Sequence, residues 1–215
     1  MNETVVTTQG STVEEWTRAL AESTGSPGGG AGTGLMLAVA ASLTSMVAGY
    51  SGDDGGEPAG IRTRARALRE EALRLADDDA SASKAFGAAF RLEPGPERDE
   101  AIRRASVDAA ASSAVLGERA IAAIDDLAWL ATDGNRSLVA DVVVAFGALR
   151  AAVAGARTNV SFDLGSLRSA GATLDQVREQ QPELWAAVEK LNGAMDRIDE
   201  LTAAIDHRAA PTDAV

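Results

Sequence analysis

The 215 residues carry a formal charge of −12, and 46% of them are apolar but only 4% aromatic, so a core must be built from Ala, Leu, Val and Ile in the close contacts that helices permit. The acidity excludes a nucleic-acid partner, because phosphates require a basic face. With no cysteine and one histidine, disulfides, thiolate or imidazole zinc sites and His-dependent triads are excluded as well.

The length suits one helical domain, expected at 11–205 with flexible ends at 1–10 and 206–215, and no polar linker divides it. Residues 1–10 lack the basic start and apolar stretch of a signal peptide, which predicts a cytoplasmic location. Ser11-Thr12-Val13-Glu14 has capping-box spacing, and Val13, Trp16 and Leu20 continue it as a first helix that stops at Gly25. Ser26 to Gly30 reads as a loop, after which Ala31 to Tyr50 is apolar or small on all sides. No charged residue occurs between Ser23 and Gly52, a length that could span a bilayer. Its Gly, Ala, Ser and Thr content and the lack of flanking Lys or Arg predict instead a helix at the centre of a bundle, with no membrane partner.

Ser51 to Gly60 reads as a turn. From Ile61, Ala65, Leu68, Ala72, Leu75, Asp79, Ala82 and Phe86 alternate in steps of four and three along one helix. Glu93-Pro94-Gly95-Pro96 ends it, and a long helix from Glu97 to Leu130 is expected, with Ile102, Ala109, Leu116, Ala120, Ile124 and Leu127 on one face. After Asp133-Gly134-Asn135, Leu138, Val142, Ala145, Leu149, Ala152 and Ala156 mark another helix, continuing through Asn159 and Asp163 to about Leu167. Leu184, Val188, Leu191, Met195, Ile198 and Ile205 mark the last one, with Pro182 in its first turn. The fold class predicted is all-α, an up-and-down bundle around a buried apolar helix.

Asp79 stands where the stripe assigns a core position, and a carboxylate there needs a partner or a function; its neighbours Asp77 and Asp78 read as a solvated face. Asp141 lies at the edge of an apolar face, where it either acts in a site or complements a helix start. Asn159 and Asp163, one turn apart, either bridge helices or face a ligand. Gly28, Gly29 and Gly30 present bare amides at a helix start, suited to an anion or to a tight turn, and match neither the P-loop nor the dinucleotide fingerprint. His207 reads as a surface residue, and Trp16, Trp129 and Trp185 as packing anchors.

In order, Pro27-Gly28-Gly29-Gly30, Ser45-Met46-Val47, Asp79-Ala80, Gly134-Asn135 followed by Asp141, and Asn159-Val160 resemble the landmarks of the formiminotetrahydrofolate cyclodeaminase and methenyltetrahydrofolate cyclohydrolase family. The resemblance runs from about Ser11 to Leu201. It implies an all-helical homodimer acting on a reduced folate with no metal and no cofactor. It places Gly28, Gly29, Gly30, Asp79, Asn135, Asp141 and Asn159 around the substrate. Attack of water on an amidinium carbon asks for a general base, assigned to Asp79, and an orienting or supporting carboxylate, assigned to Asp141, and Asp163, on the helical face of Asn159, is added to the substrate-binding set. Between its two reactions, cyclohydrolase is preferred, since no formiminotransferase domain is fused to the chain; cyclodeaminase and a non-catalytic helical scaffold are the alternatives. The chain departs from the family pattern at Ser51 to Gly56 and at Leu92-Glu93-Pro94, where basic residues are usual. It departs again at Ser83, Val115 and Asp163, where an aromatic, a proline and an asparagine are common.

Overall fold

The computed structural model describes residues 6–23, 25–52, 55–169 and 171–209. It is all-helical over these residues: α1 (Val13–Leu20), α2 (Gly29–Gly49), α3 (Gly56–Ala89), α4 (Pro96–Ala122), α5 (Ile124–Asp133), a 3-10 turn (Arg136–Leu138), α6 (Val139–Ser169), α7 (Leu174–Gln180) and α8 (Pro182–Ala209). Of the ends expected to be flexible, 1–5 and 210–215 lie outside the described residues, and residues 206–209 still belong to α8.

Helix α1 starts one residue later than the Ser11 box implies. Thr12 is the N-cap, its hydroxyl accepting from the Glu15 amide at 3.2 Å while the Glu15 carboxylate accepts from the Thr12 amide at 2.8 Å. Ser11 is instead engaged with Thr7, whose amide donates to the Ser11 hydroxyl. Helix α3 begins at Gly56, inside the stretch expected to be a turn, because Pro58 falls in the first turn, where its missing N–H costs nothing. The single helix expected over 97–130 is interrupted at Ala123 (φ −82°, ψ −11°), and Leu116 and Leu127 are buried on either side of the break. Helix α7 was not expected; it opens on a capping box formed by Thr173 and Gln176.

Helices α2, α3, α4 and α6 form an up-and-down bundle, with α2 between α3 and α6, and α8 against α4 and α6. Small residues set the spacing: a Cβ on Gly34 would lie 2.7 Å from Ala76 Cβ, and one on Gly117 would lie 2.7 Å from a Leu191 methyl. The large buried side chains include Leu37, Val47, Ile61, Ile124, Leu127, Phe146, Leu149, Val153, Leu191 and Ile198.

Both α2 and α6 are long and apolar enough to cross a membrane by length and composition. In the bundle, Leu37, Ala41 and Val47 of α2 and Val142, Phe146 and Val153 of α6 face the core. Helix α2 is nevertheless not covered on every side, as its composition suggested. Met36 (43% exposed) and Val39 (42%) lie outward, with Gly32, Leu43 and Met46 half-covered beside them.

Candidate active site

Helix α2 starts short of its neighbours, and the site is the space that this leaves. Asp79 lies level with Gly30 at the start of α2, yet α3 runs on to Ala89, about 15 Å further at 1.5 Å per residue. The first turns of α4 and the last turns of α6 extend past the same level. The resulting cleft, about 390 Å³, is lined by Gly25, Gly29 and Gly30 below, Asp79, Ser83, Phe86 and Gly87 on α3, Ala109 and Ser113 on α4, and Thr158, Asn159, Phe162 and Asp163 on α6. No Lys, Arg or His is among these described residues.

Asp79 reaches the cleft floor because the α3 stripe that buries Ala65, Ala72 and Leu75 carries it inward. A Cβ at Gly30 would land on its carboxylate, so the glycine run here admits an acidic side chain of the protein itself against the helix start. Burial pushes the Asp79 carboxyl above the ordinary range, while hydrogen bonds from the Ala31 amide and the Ser83 hydroxyl pull it back. Its Oδ2 is buried and lacks a hydrogen-bond partner, a costly state for an acceptor. Asp163 is half-buried in the same cleft, and its carboxyl is pushed up to about 7, first by burial and then by the charge of Asp79. Asn159 lies one helical turn before it and also faces the cleft.

Gly29, Gly30, Asp79, Asn159 and Asp163 are therefore brought together, and Gly28 adjoins them as the N-cap of α2. Asn135 and Asp141 are not. Asn135 caps the 3-10 turn through its side chain, which accepts from the Ser137 amide at 3.0 Å. Its Nδ2 donates to the Tyr50 carbonyl at 3.0 Å, and its backbone amide donates to Ser51 Oγ at 2.9 Å. These bonds tie it to the C-terminal end of α2. Asp141 stands in the first turn of α6, roughly 33 Å along that helix from Asp163 at 1.5 Å per residue. Within one chain neither can act on a ligand held by Asp79.

Ser83, Phe86, Ser113 and Phe162 were not chosen as site residues from the sequence. Phe86 lies on the stripe that marked Asp79, and Ser83 lies one helical turn after the aspartate, beside that stripe. Phe162, 78% exposed at the cleft mouth, breaks the apolar-inward pattern of α6 in a way visible only once the neighbouring helices are placed. The tryptophans lie elsewhere. Trp16 is buried and its Nε1 donates to Thr8, while Trp185 lies beneath the Arg178 guanidinium.

An all-helical bundle with two half-buried carboxylates in a cleft free of basic side chains defines an acid–base site suited to a cationic ligand. Among the described residues no three His, Cys, Asp or Glu side chains converge as a metal site requires. The chain belongs to the formiminotransferase-cyclodeaminase family, whose model matches residues 12–203, in keeping with the landmarks read from the sequence. The fold is shared with the crystal structure of formiminotetrahydrofolate cyclodeaminase from Thermotoga maritima, with a TM-score of 0.76 and 21% identity over 92% of this chain and 98% of that one. A comparison with curated protein sequences gives no match.

Proposed function

We propose that the protein is a methenyltetrahydrofolate cyclohydrolase, converting 5,10-methenyltetrahydrofolate and water to 10-formyltetrahydrofolate. The observation that carries this reading is the acidic cleft itself, in which Asp79 and Asp163 face a space with no basic lining residue. The methenyl compound is a fixed cation, an amidinium whose charge is shared by N5, N10 and the carbon to be attacked. Carboxylates hold that charge, and one of them accepts a proton from the incoming water. Asp79 is the candidate for that task, because its carboxylate lines the cleft and its Oδ2 lacks a hydrogen-bond partner. Asn159 supplies a neutral donor and acceptor for the pterin, Phe86 and Phe162 supply flat apolar faces, and the glycines keep the floor open. The reaction asks for neither a metal nor a redox cofactor.

A second reading, formiminotetrahydrofolate cyclodeaminase, is favoured by the family description and by the shared fold. One experiment separates the two. Purified protein is mixed with methenyltetrahydrofolate and the loss of its near-ultraviolet absorbance is followed, beside ammonia release from formiminotetrahydrofolate. Acceleration of the first supports cyclohydrolase, and Asp79→Asn is expected to lower it by about 10²–10⁴. Ammonia release without hydrolysis selects cyclodeaminase. No acceleration of either reaction leaves a helical scaffold.

The partner proposed for the open face is a second copy of the chain. Gly32, Met36, Val39, Leu43, Met46 and Tyr50 recur on α2 in steps of four and three, and Val144, Gly147, Ala151 and Thr158 form a similar outward row on α6. Two helices side by side, about 30 Å long and each about 10 Å across, offer roughly 600 Å². That is close to the ~800 Å² per partner of a standard interface. A two-fold axis across α2 runs the two copies antiparallel. The Asn135 and Asp141 end of one copy then lies beside the Asp79 cleft of the other, which accounts for landmark residues at both ends of one helix.

A further inference from the structure

Asp79 from α3 and Asp163 from α6 face the same cleft, both half-buried. Among the described residues that line the cleft, none supplies a countercharge. Helix α2 has no charged side chain, α4 contributes Ala109 and Ser113, and α6 places Thr158, Asn159 and Phe162 beside Asp163. Two carboxylates that sense each other in such a place do not both ionise readily. Of the two, Asp163 has the surroundings that favour the protonated form. Asp79 has the Ala31 amide, the Ser83 hydroxyl and the start of α2 to hold its negative charge, whereas burial and the Asp79 charge both push Asp163 upward.

Given the folate chemistry proposed above, we propose that Asp163 is a second catalytic residue, the general acid that protonates the departing nitrogen while Asp79 serves as base. In hydrolysis, water oxygen bonds to the amidinium carbon, Asp79 takes one water proton, and the C=N electron pair returns to nitrogen. The N5–C bond then breaks with its electron pair going to N5, which takes the Asp163 proton. The carbinol O–H gives its proton to Asp163 as the formyl group forms, and Asp79 releases its proton to solvent. One cation and one water give one neutral product and one proton. In the deaminase direction N10 attacks the carbon of the protonated formimino group, the C=N pair returns to the terminal nitrogen and Asp79 takes the N10 proton. Asp163 protonates the resulting amino group, the C–N bond breaks as ammonia leaves and the methenyl cation forms, and the proton on Asp79 returns through water to Asp163.

The test is Asp163→Asn beside the wild type, with kcat and KM measured against pH for methenyltetrahydrofolate hydrolysis and for ammonia release from formiminotetrahydrofolate. The wild type is expected to lose activity as pH rises through about 7, where Asp163 gives up its proton. The variant is expected to lose about 100-fold or more in kcat with little change in KM, and to lose that descending limb. Asp163→Glu is expected to restore part of both. A variant that keeps the wild-type kcat and limb overturns the acid role and leaves the folate reading standing. A wild type inert toward both compounds removes the folate reading and the acid role with it. The Asp163 proton is read independently by carbon NMR of labelled aspartate carboxyls. A titration step near pH 7 that is missing from Asp163→Asn supports it, and its absence from the wild type overturns it.

Discussion

Replacing Asp163 by Asn removes a group whose proton affinity rises on folding, and the consequence for stability can be worked out before any substrate is added. Its carboxyl moves from an ordinary value of 3.8 to about 7 in the folded chain, driven by burial and by Asp79. The folded state therefore binds the proton more tightly than the unfolded state. Stability from this source is complete below pH 3.8 and is lost as pH climbs through about 7. A rise of this size corresponds to about 4 kcal/mol at roughly 1.4 kcal/mol per pH unit. Water reaches Asp163 through the open cleft and screens it, which reduces the effect to about 1–2 kcal/mol. An amide carries no such penalty. Asp163→Asn is expected to gain about 0.5–1 kcal/mol on the wild type between about pH 5 and about pH 8.5, the remainder having been lost between about pH 3.8 and pH 5, which corresponds to roughly 1–4 °C in melting temperature for a chain of this size. Urea unfolding or calorimetry at the two pH values measures it. A difference between the proteins that is the same at both values would refute the reasoning.

Two further substitutions probe the geometry. Gly30→Ala puts a methyl group where the Asp79 carboxylate lies, so the carboxylate must swing away; activity is expected to fall to the level of Asp79→Asn. Gly193→Ala, whose Cβ meets nothing within 4 Å, is the control and leaves turnover unchanged. Met36→Glu with Val39→Glu places two charges in the open stripe of α2 and is expected to convert a dimer to a monomer in analytical ultracentrifugation, with helical circular dichroism retained. A wild type that sediments as a monomer sinks the two-fold arrangement.

The floor and walls of the cleft were legible in the sequence because helical period and burial agree there. Asp79 interrupts an apolar stripe, Asn159 and Asp163 extend another, and the glycine run precedes an uncharged helix. The separation of Asp141 from Asp163 was also written in the sequence, in the length of the helix that carries both, but family order drew them into one site. Other features had no local signal. Nothing in Ile121-Ala122-Ala123-Ile124 punctuates a helix, so the interruption at Ala123 has no local signal. The start of α3 was hidden because glycine and proline, which usually end helices, here occupy an N-cap and a first turn. The open face of α2 was invisible because small and apolar residues look the same whether they meet the core or a second chain.

The early start of the cleft at Gly29 also bears on how the site moves. Its floor belongs to a helix wedged between α3 and α6, with Gly34 against Ala76 and Gly155 against Thr33, so the floor can open only when the bundle does. The walls above it have lost one packing partner, and Ser81, Lys84 and Ala85 of α3 already face solvent. Amide hydrogens near Leu37 and Ala38 should exchange on the timescale of global unfolding, and those of the last turns of α3 much sooner. The carboxylate that must stay fixed is thus anchored at the boundary of the slow-exchanging core, and the segment that must admit a bulky pterin is the part of α3 free to breathe.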